Sequence, residues 1–303
     1  MDSGQYPCPL PISRALQVAT GDSALRTPHS ALQLADALTY YLGAVAVGQY
    51  SRATLTGEIE PDPTLNRSLR SLRRVLPGQW LLWIARSLDA TPNGPVEGLA
   101  TWYNTRERGP VAQAYSTLLH TMREKLDYTG DYGDREQASP RDLLELIDHF
   151  RIKLGKIGES ALSPEDASIV SGAIVSGLRA AIESAPFLTS YPLYAPVERK
   201  LLMGLEPTTP MPPISSPPFG ELLTLLLYPP GEPPDYTKRP RLDQERMPLF
   251  PLDPLLSYLW CATCDTHRVF ALREVQPPTL TYAGLDPDCG HVIQGQVRRD
   301  EDT

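Results

Sequence analysis

The placement of proline restricts the fold of this 303-residue chain more than any other feature. Fourteen of the 32 prolines lie between Pro207 and Pro254, several of them in pairs such as Pro212-Pro213. Proline has no backbone N–H and clashes with the preceding helical turn, so this density excludes long helices from the stretch. The second part of the chain must therefore consist of strands, turns and extended segments.

The first 190 residues instead predict a bundle of helices, in which apolar residues recur at spacings of three and four. We therefore predict an α+β fold, with an all-α helical bundle in residues 1–190 and a proline-rich β segment in residues 191–303. The length of the chain suits this division into two domains. In the helix predicted over residues 30–53, the positions of the apolar face are Leu34, Leu38, Tyr41 and Val45.

Two of the predicted helices begin with the same signal. Ser139-Pro140-Arg141-Asp142 and Ser163-Pro164-Glu165-Asp166 each place serine at the N-cap, proline at the first helical position and a carboxylate at the third. The serine side chain can accept a hydrogen bond from a backbone N–H of the first turn, and the carboxylate suits the positive end of the helix dipole. Both positions therefore predict the start of a helix.

The stretch LIDHFRIKLGKIGE, residues 146–159, contains Arg151 and resembles the Arg-x4-His signature of the HEPN family of helical bundles, many of which cleave RNA. The resemblance extends over roughly residues 7–195. It rests on the order of a PLPIS lead, an arginine- and leucine-rich helix, a PGQW helix start and an APFLTSYPLY end. It implies a dimeric helical domain like those at the front of bacterial multidomain signalling and defence proteins. In active members, a paired arginine and histidine attack the RNA.

This chain departs from the signature at two positions, since Lys156 stands where the family has histidine and Ile152 where it often has asparagine. Activation of a ribose hydroxyl requires a base with a pKa near neutrality, which histidine supplies and lysine does not unless burial lowers its pKa by several units. Arg151 and Lys156 are thus catalytic candidates only if the chain is an RNase. The alternative is that Arg151 closes the bundle through a buried or half-buried ion pair.

A second basic feature lies in the helix predicted after Pro63. Four arginines on two helical turns could contact the phosphates of a nucleic acid, but a solvated helix face is the alternative. The net charge of −8 disfavours broad attraction to nucleic acid. The apolar face of this helix is Leu65, Leu69, Leu72 and Leu76, and the arginines are Arg67, Arg70, Arg73 and Arg74.

The end of the chain carries a pattern typical of metal ligands. Cys261-Ala-Thr-Cys264 precedes two predicted strands, and Asp288-Cys289-Gly290-His291 follows them. The Cys-x2-Cys spacing lets two soft thiolates reach one tetrahedral ion, for which zinc is the usual choice. We predict a zinc-ribbon-like hairpin over about residues 255–298, with structural zinc. Its ligands are Cys261, Cys264, Cys289 and His291.

Three alternatives to this zinc site remain at the level of the sequence. The gap between Cys289 and His291 is shorter than usual, so His267 is an alternative fourth ligand. A hairpin that retains its fold without metal is the second alternative, and a Cys261–Cys264 disulfide is the third.

The remaining composition predicts a soluble cytoplasmic protein. The four cysteines form no dense framework, no apolar run reaches the roughly 18 residues of a membrane span, and the N-terminus lacks the pattern of a signal peptide. Our first hypothesis is a non-catalytic interaction, sensor or scaffold subunit of a bacterial multi-component system, such as one for antiphage defence. It would bind protein partners and could form a homodimer through the bundle. A metal-independent RNase using Arg151 and a nucleic-acid-binding module are the alternatives.

Overall fold

The computed structural model describes residues 8–21, 27–70, 75–158, 161–191, 193–197, 201–204, 226–227, 250–252, 255–276 and 279–296. Within these residues, helices occupy the chain up to residue 190 and antiparallel strands follow, in agreement with the predicted α+β class. The helices are α1 (Leu10–Thr20), α2 (Pro28–Leu55), α3 (Pro63–Arg70), α4 (Pro77–Ala90), α5 (Leu99–Asn104), α6 (Pro110–Lys125), α7 (Pro140–Ile157), α8 (Pro164–Glu183) and α9 (Phe187–Ser190).

Helix α2 is the centre of the helical part. All of residues 37–47 are buried, so the helix is covered on every side over three turns. Helices α1, α4, α7 and α8 pack around it. The positions predicted for its apolar face are buried, but the expectation of a single buried face was too narrow, because a central helix has neighbours all round. Those positions are Leu34, Leu38, Tyr41 and Val45.

Helix α4 approaches α2 closely at Gly43. A Cβ atom on this glycine would lie 2.3 Å from Cε3 of Trp80, so only glycine permits the contact. The Trp80 ring also packs edge-on against the ring of Tyr40, with 5.1 Å between centroids. A glycine inside a long helix often marks close packing, and here the neighbour is the Trp80 ring.

The serine-proline starts predicted for α7 and α8 are confirmed. Ser139 accepts a hydrogen bond from the backbone N–H of Asp142, whose carboxylate accepts in return from the backbone N–H of Ser139. Ser163 accepts likewise from the backbone N–H of Asp166. These local signals are reliable because the residues that satisfy the first-turn N–H groups are adjacent in sequence.

The prediction that Leu76 belongs to the apolar face of the arginine-rich helix was wrong. Helix α3 is described to Arg70, and Leu76 is the extended N-cap residue of α4 with 52% of its surface exposed. The reason is Pro77, since the ring of a proline disfavours helical backbone at the residue before it. Leu72 lies outside the described residues.

In the part of the chain that the structure describes, the strands form two antiparallel sheets of four strands each, in the orders β2-β1-β3-β4 and β5-β6-β7-β8. In the sequence, the segments 220–228 and 255–260 predict strands. Of the first segment, only residues 226–227 are described, as β3. The second is confirmed as β5. The strands are β1 (Leu193–Val197), β2 (Leu201–Gly204), β3 (Leu226–Leu227), β4 (Phe250–Pro251), β5 (Leu256–Cys261), β6 (Thr266–Gln276), β7 (Thr279–Gly284) and β8 (Val292–Gln296).

The second sheet packs directly against the helical part. The backbone N–H of Val75 donates to the carbonyl of Arg273 at 2.7 Å. The Arg273 guanidinium lies over the Tyr40 ring, 5.1 Å from its centroid, and donates to its hydroxyl. Buried residues of the helices and of this sheet, such as Tyr40 and Phe270, belong to one hydrophobic core. The sheet is therefore anchored on α2.

Among the helices that the structure describes, none combines the length and the apolar character required to cross a membrane.

We predict that Asp142 makes stability depend on pH in the acid range. Burial alone would raise the pKa of Asp142, but hydrogen bonds from Arg106 and Ser139 and the charge of Arg135 outweigh it and lower its pKa to about 2. Since the unfolded value is about 3.9, the stabilisation is complete above that pH and is lost as the pH falls towards 2. Urea denaturation between about pH 5 and pH 2.5 should therefore show a smaller loss of stability for Asp142→Asn than for the wild type.

Asp134→Asn is the matched control. Asp134 also accepts from an arginine, Arg123, but its side chain is 81% exposed. This variant should retain the pH dependence of the wild type, because exposed pairs contribute little to stability. A wild-type pH dependence in Asp142→Asn would contradict the assignment.

Candidate metal centre

The order of the strands explains how cysteines distant in sequence meet. Strands β5 to β8 pair consecutively and antiparallel, so the β5–β6 turn and the β7–β8 loop lie at the same end of the sheet. Cys261 ends β5 and Cys264 lies in the turn that follows. Cys289 and His291 lie in the β7–β8 loop. The two strands predicted between the cysteine pairs are present as β6 and β7.

The four predicted ligands converge at this end of the sheet. Nδ1 of His291 lies 3.5 Å from the sulfur of Cys261 and 3.3 Å from that of Cys264. It also lies 3.5 Å from the sulfur of Cys289, which is 3.6 Å from the Cys261 sulfur. The four ligand atoms all lie within 4.8 Å of one another and could bind a metal ion.

Two of the alternatives can now be placed. His267 is not part of this cluster; its buried ring stacks on Tyr258 at 5.3 Å and meets the edge of Trp260 at 5.2 Å. Burial lowers the pKa of His267, which favours the neutral ring expected of a packed core histidine. All four cysteines are free, so the structure does not contain a Cys261–Cys264 disulfide.

The turn that carries Cys261 and Cys264 changes the acidity of one sulfur. Burial alone would raise the pKa of the Cys261 thiol. Its sulfur, however, accepts hydrogen bonds from the backbone N–H groups of Cys264 and Thr263 and from the neighbouring thiols, and these bonds lower the pKa. Burial raises the pKa of the Cys289 thiol to about 12. A divalent cation stabilises thiolates, so metal binding at this cluster would release protons. Asp265 closes the turn with φ of 52°, a conformation that aspartate tolerates well.

Glycine at position 284 allows the second ligand loop to approach the sheet. The backbone N–H of Gly284 donates to the carbonyl of His291 at 3.0 Å. A Cβ atom on Gly284 would lie 2.1 Å from the carbonyl oxygen of Cys289 and 3.3 Å from its sulfur. Sequence reasoning missed this residue, although a glycine within a strand pattern is a signal of close backbone approach.

Arg151, the centre of the proposed RNase site, lies in an ion-pair network. Its guanidinium donates to Asp36 of α2 at 2.5 Å and to Asp148 of α7 at 3.3 Å, and its side chain is 24% exposed. Burial raises the pKa of both carboxyls, and the positive charge of Arg151 opposes that shift. Lys156 is exposed in the last turn of α7. His149 is also exposed and packs edge-on against the ring of Tyr132 rather than beside Arg151.

The arginines proposed to contact nucleic acid are described only in part. Arg67 is exposed on α3. Arg70 ends this helix and its side chain is not described, and Arg73 and Arg74 lie outside the described residues. Their grouping on one surface therefore stays a prediction.

No protein-family model, curated protein or solved structure matches this chain. The HEPN resemblance accordingly stays a prediction, and functional conclusions rest on the geometry of the residues.

We predict that Gly284→Ala disturbs the ligand loop. The new methyl group requires a backbone shift at Cys289, which should lower the free energy of unfolding by about 1–3 kcal/mol and weaken metal binding. Gly295→Ala is the matched control in β8, since its Cβ would have no neighbour within 4 Å. Urea denaturation and metal titration of both variants provide the comparison. Equal behaviour of the two variants would show that the close approach has no effect on the site.

We also predict that two buried cysteines, Cys289 and Cys8, affect metal binding differently. Cys289→Ser replaces a soft thiolate ligand by a hydroxyl and should reduce bound metal well below one ion per chain. Cys8→Ser should leave the metal content unchanged, because Cys8 is buried but lies outside the cluster. Elemental analysis of the purified variants measures both contents. Equal metal contents in the two variants would exclude Cys289 as a ligand.

Proposed function

We propose that this chain is a zinc-stabilised, non-catalytic interaction protein, in which a structural zinc ion fixes the C-terminal sheet that packs on the helical bundle. The observation that carries the proposal is the cluster of three sulfurs and one imidazole nitrogen at the end of β5–β8. Thiolate and imidazole ligands suit zinc and disfavour calcium and magnesium, which prefer oxygen.

The distances in the cluster support a tetrahedral ion. Zinc has bonds of about 2.3 Å to sulfur and about 2.0–2.1 Å to nitrogen, so a tetrahedron separates two sulfurs by about 3.8 Å and sulfur from nitrogen by about 3.6 Å. The Cys261 and Cys289 sulfurs are 3.6 Å apart. The three sulfur–nitrogen distances are 3.3 to 3.5 Å. Each of these four distances lies within a few tenths of an ångström of the tetrahedral value.

The ligand set favours a structural role for the ion over a catalytic one. Catalytic zinc retains an open position for water or substrate, whereas four protein ligands close the coordination sphere. Cys261 and Cys289 are also buried, at 1% and 0% exposure, which limits access to the ion. Such a site stabilises the fold, since the free energy of zinc binding adds to that of folding.

The state of Arg151 supports interaction rather than RNA cleavage. Its guanidinium contacts two carboxylates of the same chain, so a phosphate would have to displace Asp36 or Asp148. Lys156 stands at the position where the HEPN signature has the histidine that would serve as general base. An ion pair of Arg151 within the bundle was the alternative to catalysis at the level of the sequence.

The proposed setting is a cytoplasmic, multi-component bacterial system, of which antiphage defence is one kind. It rests on the HEPN resemblance and on the free cysteines, which suit a reducing compartment. Within it, the helical bundle would self-associate as a homodimer or bind a protein partner. Light scattering of the purified chain tests self-association, and a strictly monomeric mass would remove the homodimer from the proposal.

The test of the metal is elemental analysis of the chain purified without added metal. We expect about one zinc ion per chain, and its removal by a chelator should lower the melting temperature. A chain that contains no zinc and does not bind added zinc would refute the structural site.

We predict that Arg151→Ala destabilises the protein without removing an activity. The substitution removes the guanidinium that donates to both Asp36 and Asp148 and should lower the free energy of unfolding by about 1–3 kcal/mol. Lys156→Ala, at an exposed position of the same helix, should change it by no more than about 0.5 kcal/mol. Incubation with tRNA should give no cleavage above background for the wild type or either variant. Cleavage that a folded Arg151→Ala variant abolishes would favour the RNase alternative.

A further inference from the structure

Asp286 connects the metal cluster to the first helix of the bundle. It lies in the β7–β8 loop, and its side chain is only 5% exposed. Its carboxylate accepts from Arg268 of β6 at 2.6 Å and from Arg14 of α1, a residue 272 positions away. One buried carboxylate thus contacts two arginines, one from the sheet and one from the helices.

The same residue also shapes the loop that carries the last two ligands. Its Oδ1 accepts from the backbone N–H of Asp288 at 3.1 Å. Its backbone carbonyl accepts from the N–H of Cys289 at 2.8 Å. The position of the Cys289 backbone therefore depends directly on Asp286, although Asp286 is not a member of the ligand cluster.

We infer that Asp286 is a positioning residue of the metal centre and that Arg14 anchors it to the bundle. Metal binding and the docking of α1 on the sheet are therefore energetically coupled. This inference rests on the proposed zinc site. Residues that orient ligands contribute to metal affinity even without touching the ion. A buried carboxylate is stabilised only while its cations are in place, so a displaced Asp286 would lose both arginine contacts.

The coupling must act in both directions. If Arg14 fixes Asp286, the loop is preorganised and binds metal more tightly. By thermodynamic linkage, metal that fixes the loop strengthens the Arg14–Asp286 contact by the same factor. The strength of the Arg14–Asp286 contact would therefore depend on whether the sheet contains its ion, although neither residue is a ligand.

The test is the zinc affinity of the full chain, measured by competition with a chromophoric chelator. Arg14→Gln removes the anchor and should weaken zinc binding about 10-fold, and Asp286→Asn should weaken it by about 10- to 100-fold. Arg14→Lys retains a cation and should recover most of the affinity. Arg108→Gln is the matched control, because Arg108 forms an exposed ion pair with Glu136 in the helical part; its zinc affinity should equal that of the wild type.

A second measurement separates coupling from general destabilisation. Urea denaturation of the wild type, Arg14→Gln, Asp286→Asn and the double variant gives the Arg14–Asp286 interaction energy by a double-mutant cycle. This energy should be larger with zinc than after chelation. If Arg14→Gln does not fold, Arg14→Lys and Asp286→Asn provide the affinity comparison.

The outcomes distinguish this inference from the proposed function. A wild-type chain that binds no zinc overturns both. If the wild-type chain binds zinc but Arg14→Gln has the same zinc affinity, the coupling is overturned and the structural zinc site stays intact. The same conclusion follows if zinc does not alter the Arg14–Asp286 interaction energy.

Discussion

The burial of helix α2 on every side is the constraint on which the rest of the structure depends. Residues 37–47 expose almost no surface, so neighbouring elements must cover the helix in all directions. Four helices do so, and strands β4 and β5 also reach it. The large apolar area removed from water here is the main source of stability for the helical part. It also gives the second sheet a fixed surface on which to pack.

Where the sheet meets the helices, charged and polar groups specify the contact. Arg273 lies over Tyr40, Asp286 accepts from Arg14, and the backbone of Val75 pairs with β6. Apolar packing alone tolerates small shifts, whereas hydrogen-bonded charges accept one arrangement because displacement leaves a buried charge unpaired. The β7–β8 loop belongs to the same junction, so the position of the Cys/His cluster and the docking of the sheet have a common physical basis.

The second sheet is small for an independent domain. Chain segments of this length bury too little apolar surface to fold on their own, and a structural metal is a common source of the missing stability. Four protein ligands at one end of β5–β8 and a packed interface with α2 would together supply it.

The sequence by itself determined the features whose causes are local. The apolar spacing predicted the helices before residue 190, the serine-proline pairs marked the starts of α7 and α8, and the Cys-x2-Cys spacing marked half of the Cys/His cluster. Each of these signals involves residues that are close in sequence. Only the tertiary structure decided which histidine joins the cysteines, since His267 lies in β6 and packs against Tyr258, whereas His291 lies in the β7–β8 loop beside the sulfurs. It also decided that Asp36 pairs with Arg151, across 115 positions of sequence, and that Arg14 meets Asp286, across 272. Such pairs depend on how whole elements pack, and no local pattern in a single sequence records that.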